Sequence, residues 1–179
     1  MNVVLYDASL QKLASSFQSG NVYLDRFIKG NESLNDAFGK TYVYLSDDKS
    51  KIIGYYNLGV GYIEQLENGR RVKIGGAVPI NCFAFDEKNL GLIQKEMENG
   101  ITIKLSDFLL VECMERIERI RENHIGFSFV TLNATQEGYH LYLRNGFEDL
   151  EADMSFSNEK SELECKSMYM AIDVWKEED

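Results

Sequence analysis

The run IKLSDFLLVECMERIERIREN, Ile103 to Asn123, is the clearest helix in the chain. Leu105, Phe108, Leu109, Cys113, Ile117 and Ile120 recur at helical spacing and make one apolar face, while Glu112, Glu115, Glu118 and Arg119 are positioned for water. Asn123 is its stop. Beyond it IGFSFVTL, Ile125 to Leu132, reads as a largely buried strand, followed by a short helix from about Gln136 to Arg144. Asn145-Gly146 ends that helix, because glycine takes the left-handed cap conformation without steric cost. Two strands remain, near Leu150 to Phe156 and Ser167 to Trp175, before a frayed acidic KEED end. Upstream, Val72 to Pro79 reads as a third strand and INCFAF, Ile80 to Phe85, as a fourth, or the two as one element broken by Pro79, which has no N–H to give a central ladder. Asp86 closes that strand.

The N-terminal third adds two helical stretches and a hairpin. Leu10, Leu13, Ala14 and Phe17 keep helical spacing, Ser19-Gly20-Asn21 interrupts, and Leu24, Phe27 and Ile28 resume it. Gly30 to Asp36 reads as a loop or a short weak helix. TYVYL, Thr41 to Leu45, and IIGYYNLGV, Ile52 to Val60, are aromatic and β-branched and flank the polar SDDKSK, which is a hairpin pattern. Strand, long helix, strand, short helix and strand after a hairpin imply mixed α/β architecture on a central sheet. The 179 residues, with one proline and no repeat or low-complexity tract, give no linker, so one domain over 1–179 is expected.

Composition narrows the function classes. Nineteen lysines and arginines against 29 aspartates and glutamates give a net charge of −10, a field that repels polyanions and disfavours nucleic acid or an anionic membrane as partner. No window approaches the roughly 18 apolar residues of a membrane span, and Met1 to Leu13 lacks the basic and apolar blocks of a secretory signal. A cytoplasmic protein is expected. Cys82, Cys113 and Cys165 are widely spaced and lack Cys-x-x-Cys, so they read as reduced thiols, Cys82 as a small core residue. His124 and His140 stand in no metal-ligand spacing, and no metal is expected. Neither a Gly-x-Ser-x-Gly elbow nor a Gly-rich loop ending in Lys-Ser/Thr occurs.

Two stretches carry candidate chemistry. MENGITIKLSDFLL, Met97 to Leu110, joins a strand end to the long helix, and backbone N–H groups opening a helix suit phosphate. GYHLYLRNGF, Gly138 to Phe147, sets Leu141 and Tyr142 on the short helix.

Four motifs in chain order carry a resemblance. FQSGNVYLDRFI, Phe17 to Ile28, is similar to F-x-x-G-N-x-x-L-x-x-F-L; TYVYL…IIGYYNLGVGYIE, Thr41 to Glu64, to TYV…GYYSLSAGSV; FAFDEK, Phe83 to Lys88, to LAVDKR; LYLRNGF, Leu141 to Phe147, to FYERFGF. On these the chain resembles, over nearly its whole length, the GNAT superfamily of acyl-CoA-dependent N-acetyltransferases, in the branch that includes toxin-type members. The resemblance implies an α/β (α+β) GNAT-like fold with a central mixed, mostly antiparallel sheet flanked by helices. It also implies acetyl-CoA as co-substrate and a homodimer through the C-terminal strands. The family's pyrophosphate loop, Gln/Arg-x-x-Gly-x-Gly/Ala, lies on Met97 to Thr102 and keeps Gly100. Met97 and Thr102 stand at its other key positions, Glu98 adds negative charge, and an extra segment of about seven residues lies within Asn89 to Glu96.

Carried over residue by residue, Phe83 and Phe85 would offer main-chain groups to the acyl carbonyl and pantetheine. Gly100, Thr102 and Ile103 would give N–H groups to the pyrophosphate, and Asn133 resembles the cofactor-side asparagine. Tyr142 takes the place of the tyrosine that protonates the departing CoA thiolate, a role suited to a phenol. The base is unassigned: Glu64 and His140 are candidates, as are solvated roles for both. Tyr55, Tyr56 and Tyr62 are candidates to line the acceptor cleft, although aromatic alternation in a hairpin is first of all sheet packing. The implied activity is direct acetyl transfer from acetyl-CoA to a primary amine. The toxin-like opening suggests aminoacyl-tRNA as acceptor, but a charge of −10 fits a small amine or polypeptide amine better. The alternative is a GNAT-fold binding or regulatory module without catalysis and with weak or no acetyl-CoA binding. A third reading keeps the fold and exchanges the ligand for another acyl or nucleotide compound.

Overall fold

The computed structural model describes residues 2–89, 93–96, 102–157 and 165–172. In chain order its elements are β1 (Val3–Leu5), α1 (Gln11–Ala14), α2 (Val22–Lys29), β2 (Lys40–Leu45), β3 (Ile52–Leu58), β4 (Gly61–Glu67), β5 (Arg70–Phe85), β6 (Ile93–Glu96), β7 (Thr102–Lys104), α3 (Leu105–Asn123), β8 (Phe129–Ala134), α4 (Tyr139–Arg144), β9 (Glu148–Asp149), β10 (Met154–Phe156) and β11 (Lys166–Ala171). The architecture is mixed α and β with mostly antiparallel sheet, and it divides into two units, Met1–Gly59 with Asn81–Arg116 and Val60–Ile80 with Ile117–Asp179.

In the first unit, β1, β2 and β3 pair antiparallel in sequence order, with Thr41 opposite Asn57, Tyr42 opposite Tyr56 and Val43 opposite Tyr55. The end of β5 lies on β3, where Asp86 N donates to Ile53 O and Asn81 meets Asn57. The opening motif builds α2 locally. Gly20 turns at φ +79°, Asn21 caps the helix by accepting from Tyr23 N and Leu24 N, and Asp25 accepts from Ser19 N at 2.7 Å. Phe17, Phe27 and Ile28 then bury against Tyr55, Cys82 and Ala84, while Tyr55 and Tyr6 hydroxyls donate to the carbonyls of Leu24 and Ile28.

The second unit orders its strands β10-β4-β5-β8-β11-β9, with β5 and β8 parallel and every other pair antiparallel. Its core gathers Ile63, Ala77 and Tyr169 with Phe129, Met154 and Phe156 packed round them. Pro79 interrupts nothing: β5 is continuous over 16 residues. The antiparallel ladder to β4 ends at Gly61 opposite Ala77, two residues before Pro79, so on that edge no N–H is called for, while on the other Pro79 stands opposite Thr131 in the parallel ladder to β8.

The structure departs from sequence expectation in several elements. Val3–Leu5 and Gly61–Glu67 are strands that the periodicity did not mark, and the expected strand Leu150 to Phe156 narrows to β10 on β4, with β9 on β11 just before that stretch. The strand expected from Ile125 starts at Phe129, because His124 N and Ile125 N both donate to Ile120 O and finish the helix first. The first helical stretch shortens to Gln11–Ala14, and the short helix starts at Tyr139. Ile103 lies in β7 rather than in α3. Glu112 does not face water; it is drawn onto Tyr56. The last strand ends at Ala171, and Trp175 and the KEED end lie outside the described residues.

Candidate functional site

The strand end that the sequence singles out is tightly built. Cys82 and Ala84 point into the α2-side core, while the Phe83 and Phe85 rings meet edge to face at 5.7 Å. Gly54 allows this packing, since a Cβ there would stand 2.9 Å from Ala84 O and 3.0 Å from the Phe85 ring. Asp86 is buried and spent on the chain itself: its carboxylate accepts from Gln18 N at 3.2 Å and Lys88 N at 3.1 Å. Burial also pushes the Cys82 thiol up to about 12, which keeps it protonated and removes it as a nucleophile.

At the head of α3, Gly100, Met97 and Glu98 lie outside the described residues. Thr102 and Ile103 are in β7, paired with β6 as Glu96 with Thr102 and Lys95 with Ile103. β6, the described part of the extra segment, is therefore the strand partner of Thr102 and Ile103. Asp107 Oδ2 accepts from Lys104 N at 3.1 Å, the return half of a capping box, and sets a carboxylate at the helix N-terminus.

Tyr55 and Tyr56 do not line an open cleft, because both are fully buried, on opposite faces of β3. Tyr55 packs between Phe17 and Phe27, whereas Tyr56 stacks on Tyr42 at 5.3 Å and donates to Glu112 Oε2 at 2.5 Å. Arg116 completes that group. Its Nε donates to Tyr56 Oη at 2.6 Å, its Nη2 pairs with Glu112 at 2.6 Å, and the guanidinium lies 4.1 Å over the Tyr42 ring. Burial, with the hydrogen bond to Glu112 and its charge beside it, holds the Tyr56 phenol far above its ordinary value. On the other face Asn57, fully buried, donates to Thr41 Oγ1 at 3.0 Å and accepts from Asn81 at 2.8 Å. Sequence reasoning missed both groups, whose links between strands and to α3 span 16 to 60 residues.

In the second unit, β8 leaves its ladder to β5 after Leu132, and Asn133 continues on β11 opposite Ser167. Ser167 Oγ donates to Asn133 Oδ1 at 2.9 Å, so the NH2 is the end of that amide turned to other acceptors. Tyr142 is buried on α4, its ring edge to face with Phe147 at 5.8 Å and close to Gly138, where a Cβ would stand 3.3 Å from it. The predicted stop is built as read: Gly146 has φ +89°, and Phe147 N donates to Tyr142 O at 3.1 Å. His140 is exposed beside Tyr139; Glu64 is half-buried opposite Lys73; Tyr62 is 37% exposed with Lys73 Nζ 5.3 Å above its ring.

A cavity of about 260 Å³ in the first unit is lined by Leu5, Asp7, Leu34, Asp36 and Lys40, away from the predicted site residues in sequence and in element. Among the described residues no group of three His, Cys, Asp or Glu is placed to hold a metal, and no helix is long and apolar enough to cross a membrane.

No protein-family model matches the chain. Among solved structures it is similar to a bacterial toxin at 18% identity, over 95% of this chain and 90% of that chain, with a TM-score of 0.66. It is similar to AtaTR bound with acetyl-CoA at 14% identity, over 95% and 92%, with a TM-score of 0.69. It is similar to the KacTA–DNA complex at 20% identity, over 87% and 91%, with a TM-score of 0.63. The fold is the GNAT-like fold of these toxin-type proteins.

Proposed function

We propose that the chain is an N-acyltransferase that moves an acetyl group from acetyl-CoA to a primary amine by direct attack in a ternary complex. The observation that carries this reading is the fold likeness, over 95% of the chain, to a structure bound with acetyl-CoA. In the reaction the amine nitrogen bonds to the acyl carbon as the carbon–sulfur bond breaks, and the proton lost by nitrogen is balanced by one gained at sulfur. Main-chain groups of Phe83 and Phe85 would meet the acyl carbonyl and pantetheine. Gly100, Thr102 and Ile103 would meet the pyrophosphate, the Asn133 NH2 would donate to the cofactor, and Tyr142 would protonate the leaving thiolate. A small amine or a polypeptide amine suits the charge of −10, and a cytoplasmic homodimer belongs to the same proposal.

Two observations favour a second reading, a GNAT-fold binding or regulatory module without catalysis. Asp107 already satisfies the Lys104 N–H at the head of α3, and β7 is paired with β6 where the family resemblance calls for a phosphate loop. Calorimetric titration with acetyl-CoA, with CoA and dephospho-CoA as controls, separates the two. Saturable binding at micromolar ligand, weakened for dephospho-CoA, supports the acyltransferase; no heat at millimolar acetyl-CoA supports the module.

A further inference from the structure

Asn81 is an exposed residue in a buried run. Ala77 to Ile80, Cys82 and Ala84 to Asp86 are buried, yet Asn81 on the same strand is open to solvent. Its carboxamide is nevertheless held, since Nδ2 donates to Asn57 Oδ1 at 2.8 Å and to the Phe38 carbonyl at 3.3 Å.

The direction of every bond in this chain follows from its far end. The Ser33 carbonyl can only accept, so the Thr41 hydroxyl 2.7 Å away donates to it. Thr41 Oγ1 has lone pairs left for Asn57, which must turn its NH2 to Thr41 and its Oδ1 to Asn81. Asn81 answers with its NH2. Its Oδ1 is therefore the end that faces outward, with no partner among the described residues. Ser33, Thr41 and Asn57 are at most 2% exposed, so water does not reset the order from within.

We propose that Asn81 Oδ1 is the hydrogen-bond acceptor that receives an N–H of the acceptor amine and sets its nitrogen beside the strand end, two residues before Phe83. This rests on the acyltransferase reading for the place of the acyl carbonyl. A carboxamide oxygen takes an N–H without taking a proton, so Asn81 is a positioning residue and not the base. It selects primary amines over quaternary ammonium ions, which have no N–H to give.

Two measurements test it, with glycinamide as the amine. In steady-state thiol release from acetyl-CoA, Asn81→Ala raises KM for glycinamide about tenfold and leaves kcat and the acetyl-CoA KM within about twofold. Thr41→Val, which frees the Asn57 amide to turn over, shifts the amine KM in the same direction, and Thr41→Ser restores it. An unmoved amine KM in Asn81→Ala, or an equal rise in the acetyl-CoA KM, overturns the proposal. In the binding arm, glycinamide shifts the 15N side-chain resonances of Asn81 saturably and tetramethylammonium at equal ionic strength does not; equal shifts or none overturn it. A chain that binds glycinamide at Asn81 but releases no thiol upholds this inference and overturns the acyl transfer. Thiol release with silent Asn81 resonances does the reverse.

Discussion

In the proposed transfer the Tyr142 hydroxyl acts only after the carbon–sulfur bond begins to break. Tyr142→Phe should therefore lower kcat on the order of a hundredfold, the range of a lost general acid, while the calorimetric affinity for acetyl-CoA stays within about twofold. Equal loss in both would make the residue a binding group. Gly39 is a second residue whose chemistry is decided locally. At φ +97° and ψ −172° it occupies a region nearly closed to other residues, and a Cβ would stand 2.2 Å from Leu58 O and 2.9 Å from Asn57 Oδ1. Gly39→Ala should cost on the order of 3 kcal/mol and lower the melting temperature by about 10 °C. A melt within about 2 °C of the parent, the size of a surface change, would show that the turn relaxes freely. Family resemblance alone pointed to Tyr142, Asn133 and Phe83; periodicity gave them no special place. The Asn81–Asn57–Thr41 chain was not legible at all, because links of 24 and 16 residues arise only when strands find their register.

At the scale of elements, what the sequence showed well was amphipathic and long. The apolar face Leu105, Leu109, Cys113 and Ile117 is buried as its spacing predicts, and Asn145-Gly146 stops α4. Short strands escaped: β1 has three residues and a half-open face, too few for a period to register, and β4 carries polar Glu64, Gln65 and Glu67 beside a single deep apolar residue, Ile63. Glu112 was misplaced because helical spacing sorts residues by face without seeing what lies opposite the flank. There Tyr56 offers its hydroxyl and Arg116 closes the triangle, tying α3 to β3. Burial works against the charge on Arg116, but Tyr56 and Glu112 outweigh it and keep the guanidinium charged. Tyr56→Phe should destabilise by roughly 1–2 kcal/mol, since it strips Arg116 Nε and Glu112 of a shared partner in a half-buried place. Combined with Glu112→Gln in a double-mutant cycle read by urea unfolding, the coupling should exceed about 0.5 kcal/mol. Additive losses would mean that the helix is held by its apolar face alone.

For the molecule as a whole, buried phenols and thiols act on the alkaline side of its pH range. Asp48 is held at about 2 by hydrogen bonds from Ser46 and Ser50, but it is exposed and local to one turn. Burial pushes Cys82 from its ordinary value near 9 up to about 12 and Tyr6 from near 10 up to about 12, and drives Tyr55 and Cys113 upward as well. The sign follows from proton counts. Below pH 9 the folded and unfolded chains both keep these protons, so their contribution is fully present. From about 9 for the thiols and about 10 for the phenols, up to about 12, the unfolded chain releases them while the folded one does not, and each group then removes stability at roughly 1.4 kcal/mol per pH unit. Thermal melts should be insensitive to these groups up to pH 8 and fall progressively from pH 9 to pH 10.5. Cys82→Ala should begin from a lower melting temperature, having lost a packed thiol, yet show a shallower fall over that interval because one of the retained protons is gone. A parallel fall in the two proteins would mean that Cys82 keeps its ordinary acidity in the folded state, through a solvent path to the thiol that its 3% exposure gives no sign of.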